Sequence, residues 1–190
     1  MEPLYVIAIV AAAVLAVVAW YIATMNAFAR LAVKITESDS GIDVALTKRF
    51  DTLTKTLDVC KAYAKHEAET LANLVKLRRE HMSLEEKNEV SRQMDEVSGR
   101  INIMAEAYPE LKSSENFKQL QFAISEVEEH LQAARRIYNM NVSYFNQKLA
   151  AWPGGVVGRQ RGHAPKEFFQ AEAQKKSGRE NVVLVPISRL

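Results

Sequence analysis

A chain of 190 residues with 48% hydrophobic, 25% charged and 8% aromatic residues has the length of one domain with appendages and the composition of a folding polypeptide. Its formal net charge of +2 is too small to point to nucleic acid, and a single cysteine, Cys60, excludes an intramolecular disulfide framework and any Cys-rich zinc or iron–sulfur site. No proline lies between Leu4 and Tyr108, and the repeated strand and turn signals of a nucleotide-binding α/β fold are missing, so an all-α protein is expected.

The first element is apolar. Between Glu2 and Arg30 there is no charged residue, and Leu4 to Ala23, LYVIAIVAAAVLAVVAWYIA, supplies the ~20 apolar residues needed to cross a hydrocarbon core about 30 Å thick. Tyr5 at one end and Trp20 with Tyr21 at the other stand where amphipathic rings favour the headgroup level. A cleaved signal peptide is the competing reading, because Ala27-Phe28-Ala29 has the small-x-small form of a cleavage site. Met-Glu-Pro lacks the positive start of such a peptide, and the apolar run exceeds an h-region of about 7 to 15 residues, so residues 1–29 read as a retained anchor. Arg30, Lys34, Lys48 and Arg49 follow the span while no basic side chain precedes it, which predicts an outside amino terminus and a cytoplasmic body. Ala8, Ala12 and Ala16 form a ridge of small residues that would let two spans approach closely; its alternative is an ordinary lipid-facing surface.

Three apolar seams follow. Leu31, Ile35, Ile42, Leu46, Leu53, Leu57, Cys60, Ala64, Leu71 and Leu74 keep heptad-like spacing, which predicts one rod from Leu31 to Arg78 extending about 70 Å. Its weak point is Ser38 to Gly41, where Ser38 or Ser40 could cap a new helix, but the seam resumes in phase at Ile42. A second seam, Val90, Met94, Val97, Ile101, Met104 and Tyr108, opens behind a capping box at Ser83 and Glu86 and closes at Tyr108-Pro109. The third runs Phe117, Leu120, Ile124, Val127, Leu131, Ala134, Tyr138, Val142, Phe145 and Leu149, from the Ser113-Ser114 cluster to Trp152-Pro153-Gly154-Gly155. Such rods bury their stripes only against one another, so residues 30–152 are expected to form an antiparallel up-and-down bundle of the four-helix type that continues from the span.

These blocks resemble the LemA family. Ile42-Asp43-Val44-Ala45-Leu46-Thr47-Lys48-Arg49 is similar to its IDVQLKRR-like segment, and Tyr63-Ala64-Lys65-His66-Glu67 to its GYAxHE-like segment. Tyr108-Pro109-Glu110-Leu111-Lys112 with Glu115-Asn116-Phe117 is similar to YPDLKxxxNF, and Ala134-Arg135-Arg136-Ile137-Tyr138-Asn139 to AARRxYN. The chain departs from the pattern at Leu53-Thr54-Lys55, where the family has Ile-Pro-Asn, at Tyr144-Phe145 in place of a second Tyr-Asn, and at Asp39 in place of an aromatic residue. The resemblance implies a membrane-anchored bundle of long helices and no enzymatic activity.

Tests for chemistry fail. His66-Glu67 would need a second histidine at position 70, which is Thr70, to make a zinc protease helix, and Glu126 and His130 lack the Glu-x-x-His spacing of a di-iron bundle. No nucleophile elbow or phosphate loop occurs, and Cys60 on the apolar stripe reads as a packed thiol. No catalytic residue, metal or cofactor is expected. Tyr63, His66, Tyr138, Asn139 and Asn141 are instead candidates for a polar layer that fixes helix register. Residues 153–190 carry a positive excess and most of the glycines, so a mobile basic tail is expected, either solvated or laid on anionic lipid, with the apolar VVLVPI of Val182 to Ile187 packed on the bundle or a partner. The expected function is a non-catalytic, single-pass membrane scaffold that self-assembles as a homo-oligomer on the lipid bilayer. The alternative is an adaptor subunit of a membrane protease or transporter complex.

Overall fold

The structure is a computed structural model that describes residues 3–66, 68, 71 and 82–169. Among the described residues there is no strand, and the elements are α1 (Pro3–Cys60), α2 (Leu84–Ala107), α3 (Pro109–Ser113), α4 (Glu115–Ala150) and α5 (Gly154–Gln160). The protein is all-α, as its seams predict.

α1 runs without a break through Ser38 to Gly41 and through Leu53-Thr54-Lys55. Ser38 does not cap a new helix: its hydroxyl lies 2.8 Å from the Lys34 carbonyl and 2.9 Å from that of Ile35, so it bonds back into its own helix. Without the proline of the family pattern, nothing removes a backbone donor at residues 53–55. The expected rod to Arg78 is corrected at the other end. α1 stops at Cys60, and a turn follows in which the amides of Tyr63 and Ala64 both bond to the Cys60 carbonyl, at 3.0 and 2.9 Å. The apolar stripe nevertheless stays buried at Cys60, Ala64, Ala68 and Leu71, while Leu74 and Arg78 lie outside the described residues.

The remaining helix ends follow local chemistry. Ser83 and Glu86 close a capping box, with the Ser83 amide 2.8 Å from Glu86 Oε2 and the Glu86 amide 3.3 Å from Ser83 Oγ. Tyr108 leaves the helical region before Pro109, which occupies the first turn of α3, where a missing N–H costs nothing. Ser114 then accepts the Phe117 amide at 3.3 Å and starts α4. The α2 stripe departs from the expected one at its start, where Lys87 and Ser91 are buried ahead of Met94, Val97, Ile101 and Met104, and Val90 is only half-buried.

The described residues fall into two compact units. In the first, residues up to Ile42 stand with Ala133–Phe168. α1 and α4 run antiparallel there, since Lys34 and Ser38 meet Asn141 while Phe28 meets Phe145. In the second, Asp43–Gln132, the pairs Asp43–Lys87 and Arg49–Asp95 advance in the same sense, so α1 and α2 are parallel.

The segment after Trp152, expected to be mobile, is packed over its described part. α5 buries Gly155, Val157 and Gly158, and residues 163–168 return extended along α4. Asn146 fixes that return by accepting the Lys166 amide at 2.8 Å and donating to the Lys166 carbonyl at 2.9 Å, and Tyr138 Oη donates to the Glu167 carbonyl at 3.3 Å. The glycines serve close approach, not mobility: a Cβ at Gly158 would stand 2.8 Å from both Leu149 Cδ1 and Phe28 Cζ, and one at Gly155 would collide with the Leu149 carbonyl. The Val182–Ile187 segment lies outside the described residues.

Gly158→Ala is therefore expected to lower stability by about 1–3 kcal/mol through overpacking. Gly41→Ala, in a helix with open space at the added methyl, should leave stability unchanged or raise it by up to ~1 kcal/mol. Thermal unfolding of the full chain in detergent, followed by circular dichroism, checks both.

Candidate functional site

Every residue from Leu4 to Trp20 is exposed, and burial along α1 begins at Thr24 and Phe28. One helix among the described residues is long and apolar enough to cross a membrane, and it is this one. Tyr5 and Trp20 are exposed and Tyr21 is half-buried.

Just past this apolar stretch, the first unit closes around aromatic rings. Phe28 packs edge-on against Phe145 at 5.8 Å between centroids and stacks on His163 at 5.3 Å, and Phe145 meets His163 edge-on at 5.6 Å. Lys148 Nζ lies 5.6 Å from the Phe28 centroid, Arg159 Nη1 donates to the Leu149 carbonyl at 3.1 Å, and Arg161 Nε donates to Tyr21 Oη at 3.3 Å. The Arg159 contact sets a cation on a carbonyl of the last turn of α4, where the helix dipole favours positive charge. Farther along α1, buried Asn141 donates to the Lys34 carbonyl and to Ser38 Oγ, both at 3.2 Å. Burial, reinforced by the charges of Asp39 and Glu167, raises the Tyr138 pKa above the usual phenolic value.

The second unit has a charged layer that sequence reasoning did not find. Arg49, only 2% exposed, reaches Asp95 Oδ1 of α2 at 2.5 Å and Glu128 Oε1 of α4 at 2.9 Å. Its Nη1 donates to the Ser91 carbonyl at 3.5 Å, and Ser98 Oγ donates to the same Glu128 oxygen at 3.5 Å. Lys87, equally buried, pairs with Asp43 at 2.8 Å. The available signal was positional: Arg49 falls between Leu46 and Leu53 on the seam, and Lys87 lies one helical turn ahead of Ser91.

The expected polar-layer residues divide between the units. Tyr63 and His66, in the second, are exposed; Tyr63 lines an open cleft with Tyr108, Pro109 and Glu110, and His66 lines another with Leu71, Arg100 and Tyr108. Tyr138 is buried and Asn139 half-buried in the first. Burial pushes the Cys60 thiol up to about 11, so it is protonated at neutral pH and a poor nucleophile. Among the described residues no group of three His, Cys, Asp or Glu side chains is placed to hold a metal ion. The Arg49 and Lys87 ion pairs tie helices of the second unit together.

An all-α chain with a candidate membrane helix at its amino end and charged layers across its helical body is the class of protein that these observations define. It belongs to the LemA family, whose model matches residues 38–183. Protein LemA of Metamycoplasma hominis is 30% identical over 155 residues, covering 80% of this chain and 71% of that protein. The magnetosome proteins MamQ 1 and MamQ 2 of Paramagnetospirillum magneticum are each 28% identical over 72 residues, 38% of this chain, and the match spans only 26% of their length. None of these names states a catalytic activity.

Arg49→Ala should cost about 1–3 kcal/mol, less than a fully buried pair because Asp95 and Glu128 are 41% and 38% exposed. Arg49→Met, which keeps volume without the desolvated charge, should cost distinctly less. Denaturant unfolding of the full chain in detergent distinguishes the two.

Proposed function

We propose that this LemA-family protein is a non-catalytic scaffold, held in the bacterial inner membrane by residues 4–23 and self-associating there as a homo-oligomer. The observation that carries the proposal is an apolar stripe on the outside of the body. Ile137, Met140 and Tyr144 recur at helical spacing on α4, and each is about half exposed, at 51%, 48% and 54%. A helix whose inner face is already occupied by Tyr138, Val142 and Phe145 has a second, half-exposed apolar face, and a further copy of the chain offers the same face to it. The ridge of Ala8, Ala12 and Ala16, exposed along the span, supports association inside the bilayer as well.

Orientation follows from charge. Lys148, Arg159 and Arg161 join Arg30 and Lys34 on the carboxyl-terminal side of the span, within the unit that contains its end. This excess supports a cytoplasmic body and an outside amino terminus.

Light scattering of the full chain in mild detergent, corrected for bound detergent, tests the proposal. One species of several chain masses is expected, reduced toward a single chain by Ile137→Glu with Tyr144→Glu. A wild-type monomer would overturn it, and a stoichiometric complex with a different membrane protein would establish the adaptor reading in its place.

A further inference from the structure

We infer that the turn after α4 is a second membrane contact, in which Trp152 enters the headgroup layer beside the span and Arg159 and Arg161 engage the phosphates of anionic lipid. The inference rests on the reading of residues 4–23 as a membrane anchor.

Three observations converge on it. The first is place. Arg161 Nε donates to Tyr21 Oη, and a Cβ at Gly154 would rest 3.6 Å from the Thr24 methyl, so the start and the end of α5 both stand against the last turn of the span. Tyr21 and Thr24 are only about 4.5 Å apart along the helix axis, so this turn lies at the level where the apolar surface ends. The second is exposure. Trp152 is 86% exposed and Val156, on the same turn, 40% exposed. Both would lie in water if the surface beside Tyr21 were aqueous. Beside a bilayer, an indole finds the half-apolar, half-polar layer that tryptophan favours.

The third observation is charge. No acidic residue occurs between Glu2 and Glu37 or between Glu129 and Glu167, so neither chain segment that meets at this end brings a carboxylate to it. The same two segments carry Arg30, Lys148, Arg159 and Arg161. Arginine fits a phosphate through paired N–H donors, and cations near an anionic leaflet add attraction for each charge. An exposed tryptophan and two arginines at either end of one short helix, packed at the foot of an apolar helix, match the layered chemistry of a lipid headgroup region.

The two tryptophans make the test direct, because each can be read alone in the full chain reconstituted into vesicles. Trp20→Phe leaves Trp152 as the reporter, and Trp152→Phe leaves Trp20. The vesicles contain phosphatidylcholine with or without phosphatidylglycerol, with a nitroxide quencher carried near the headgroup. The expected result is loss of Trp152 emission to the lipid-borne quencher and protection from aqueous acrylamide. Both effects should weaken when phosphatidylglycerol is omitted or when Arg159→Gln and Arg161→Gln are introduced. If Trp20 is quenched from the lipid while Trp152 is open to acrylamide, or is shielded from both quenchers by the chain's own carboxyl-terminal residues, the second contact is refuted and the anchor stands. If neither tryptophan senses lipid, the anchor reading fails with it.

Discussion

α1 joins two different surfaces in one continuous helix, an apolar one exposed all round and an amphipathic one packed on protein. Over its first part the backbone bonds are internal and the side chains apolar in every direction, which suits hydrocarbon, where an unpaired N–H or C=O costs several kcal/mol. From Thr24 onward the same helix buries a stripe against neighbouring protein and carries charge elsewhere. The change falls within about two turns, at Tyr21 to Phe28, and several devices of the first unit gather there: the Phe28–Phe145–His163 rings, the glycine approach of α5 and the Arg161–Tyr21 bond. A helix that left its protein unit without these contacts would be free to pivot where it leaves. The rings and the close glycine packing instead fix its direction at the point where burial begins.

Buried polar groups pin the register of the helices that carry them. Hydrophobic seams tolerate sliding by a turn, whereas Arg49 has to meet Asp95 and Glu128 together, and Asn141 has to meet Ser38 and the Lys34 carbonyl. Each displaced partner would leave a desolvated donor behind, at a cost of about 1–3 kcal/mol. The same logic holds for Lys87 over Asp43. Cys60, held protonated on the stripe, and Tyr138, bonded to the returning Glu167 carbonyl, serve packing in the same way.

What could be read from the sequence was whatever depends on near neighbours. The apolar span, the capping box at Ser83 and Glu86, and the helix boundary at Tyr108-Pro109 each follow from residues within a turn or so of one another. The end of α1 at Cys60 was hidden because no glycine or proline marks it and the stripe continues through Ala64 and Ala68. Arg49 was hidden because its partners Ser91, Asp95 and Glu128 lie 42, 46 and 79 residues away, and an arginine on a helix reads as solvated until they are known. Gly155 and Gly158 pointed the wrong way for a related reason: a glycine permits both freedom and close approach, and only the presence of Phe28 and Leu149 opposite decides between them. Tyr63 and His66, singled out by their place in family-like blocks, meet Tyr108 across open clefts, a juxtaposition that no helical spacing contains.

The account depends most on the apolar stretch being in lipid. Alkaline carbonate extraction of cell membranes tests this directly when the full chain is compared with a variant carrying Val10→Arg and Val14→Arg. Both sites are exposed in the middle of the span, where each arginine costs about 2.5–3.5 kcal/mol to insert. The account predicts that the natural chain stays with the membrane pellet and that the variant is released into the supernatant. Release of the natural chain, or equal retention of the variant, would contradict it.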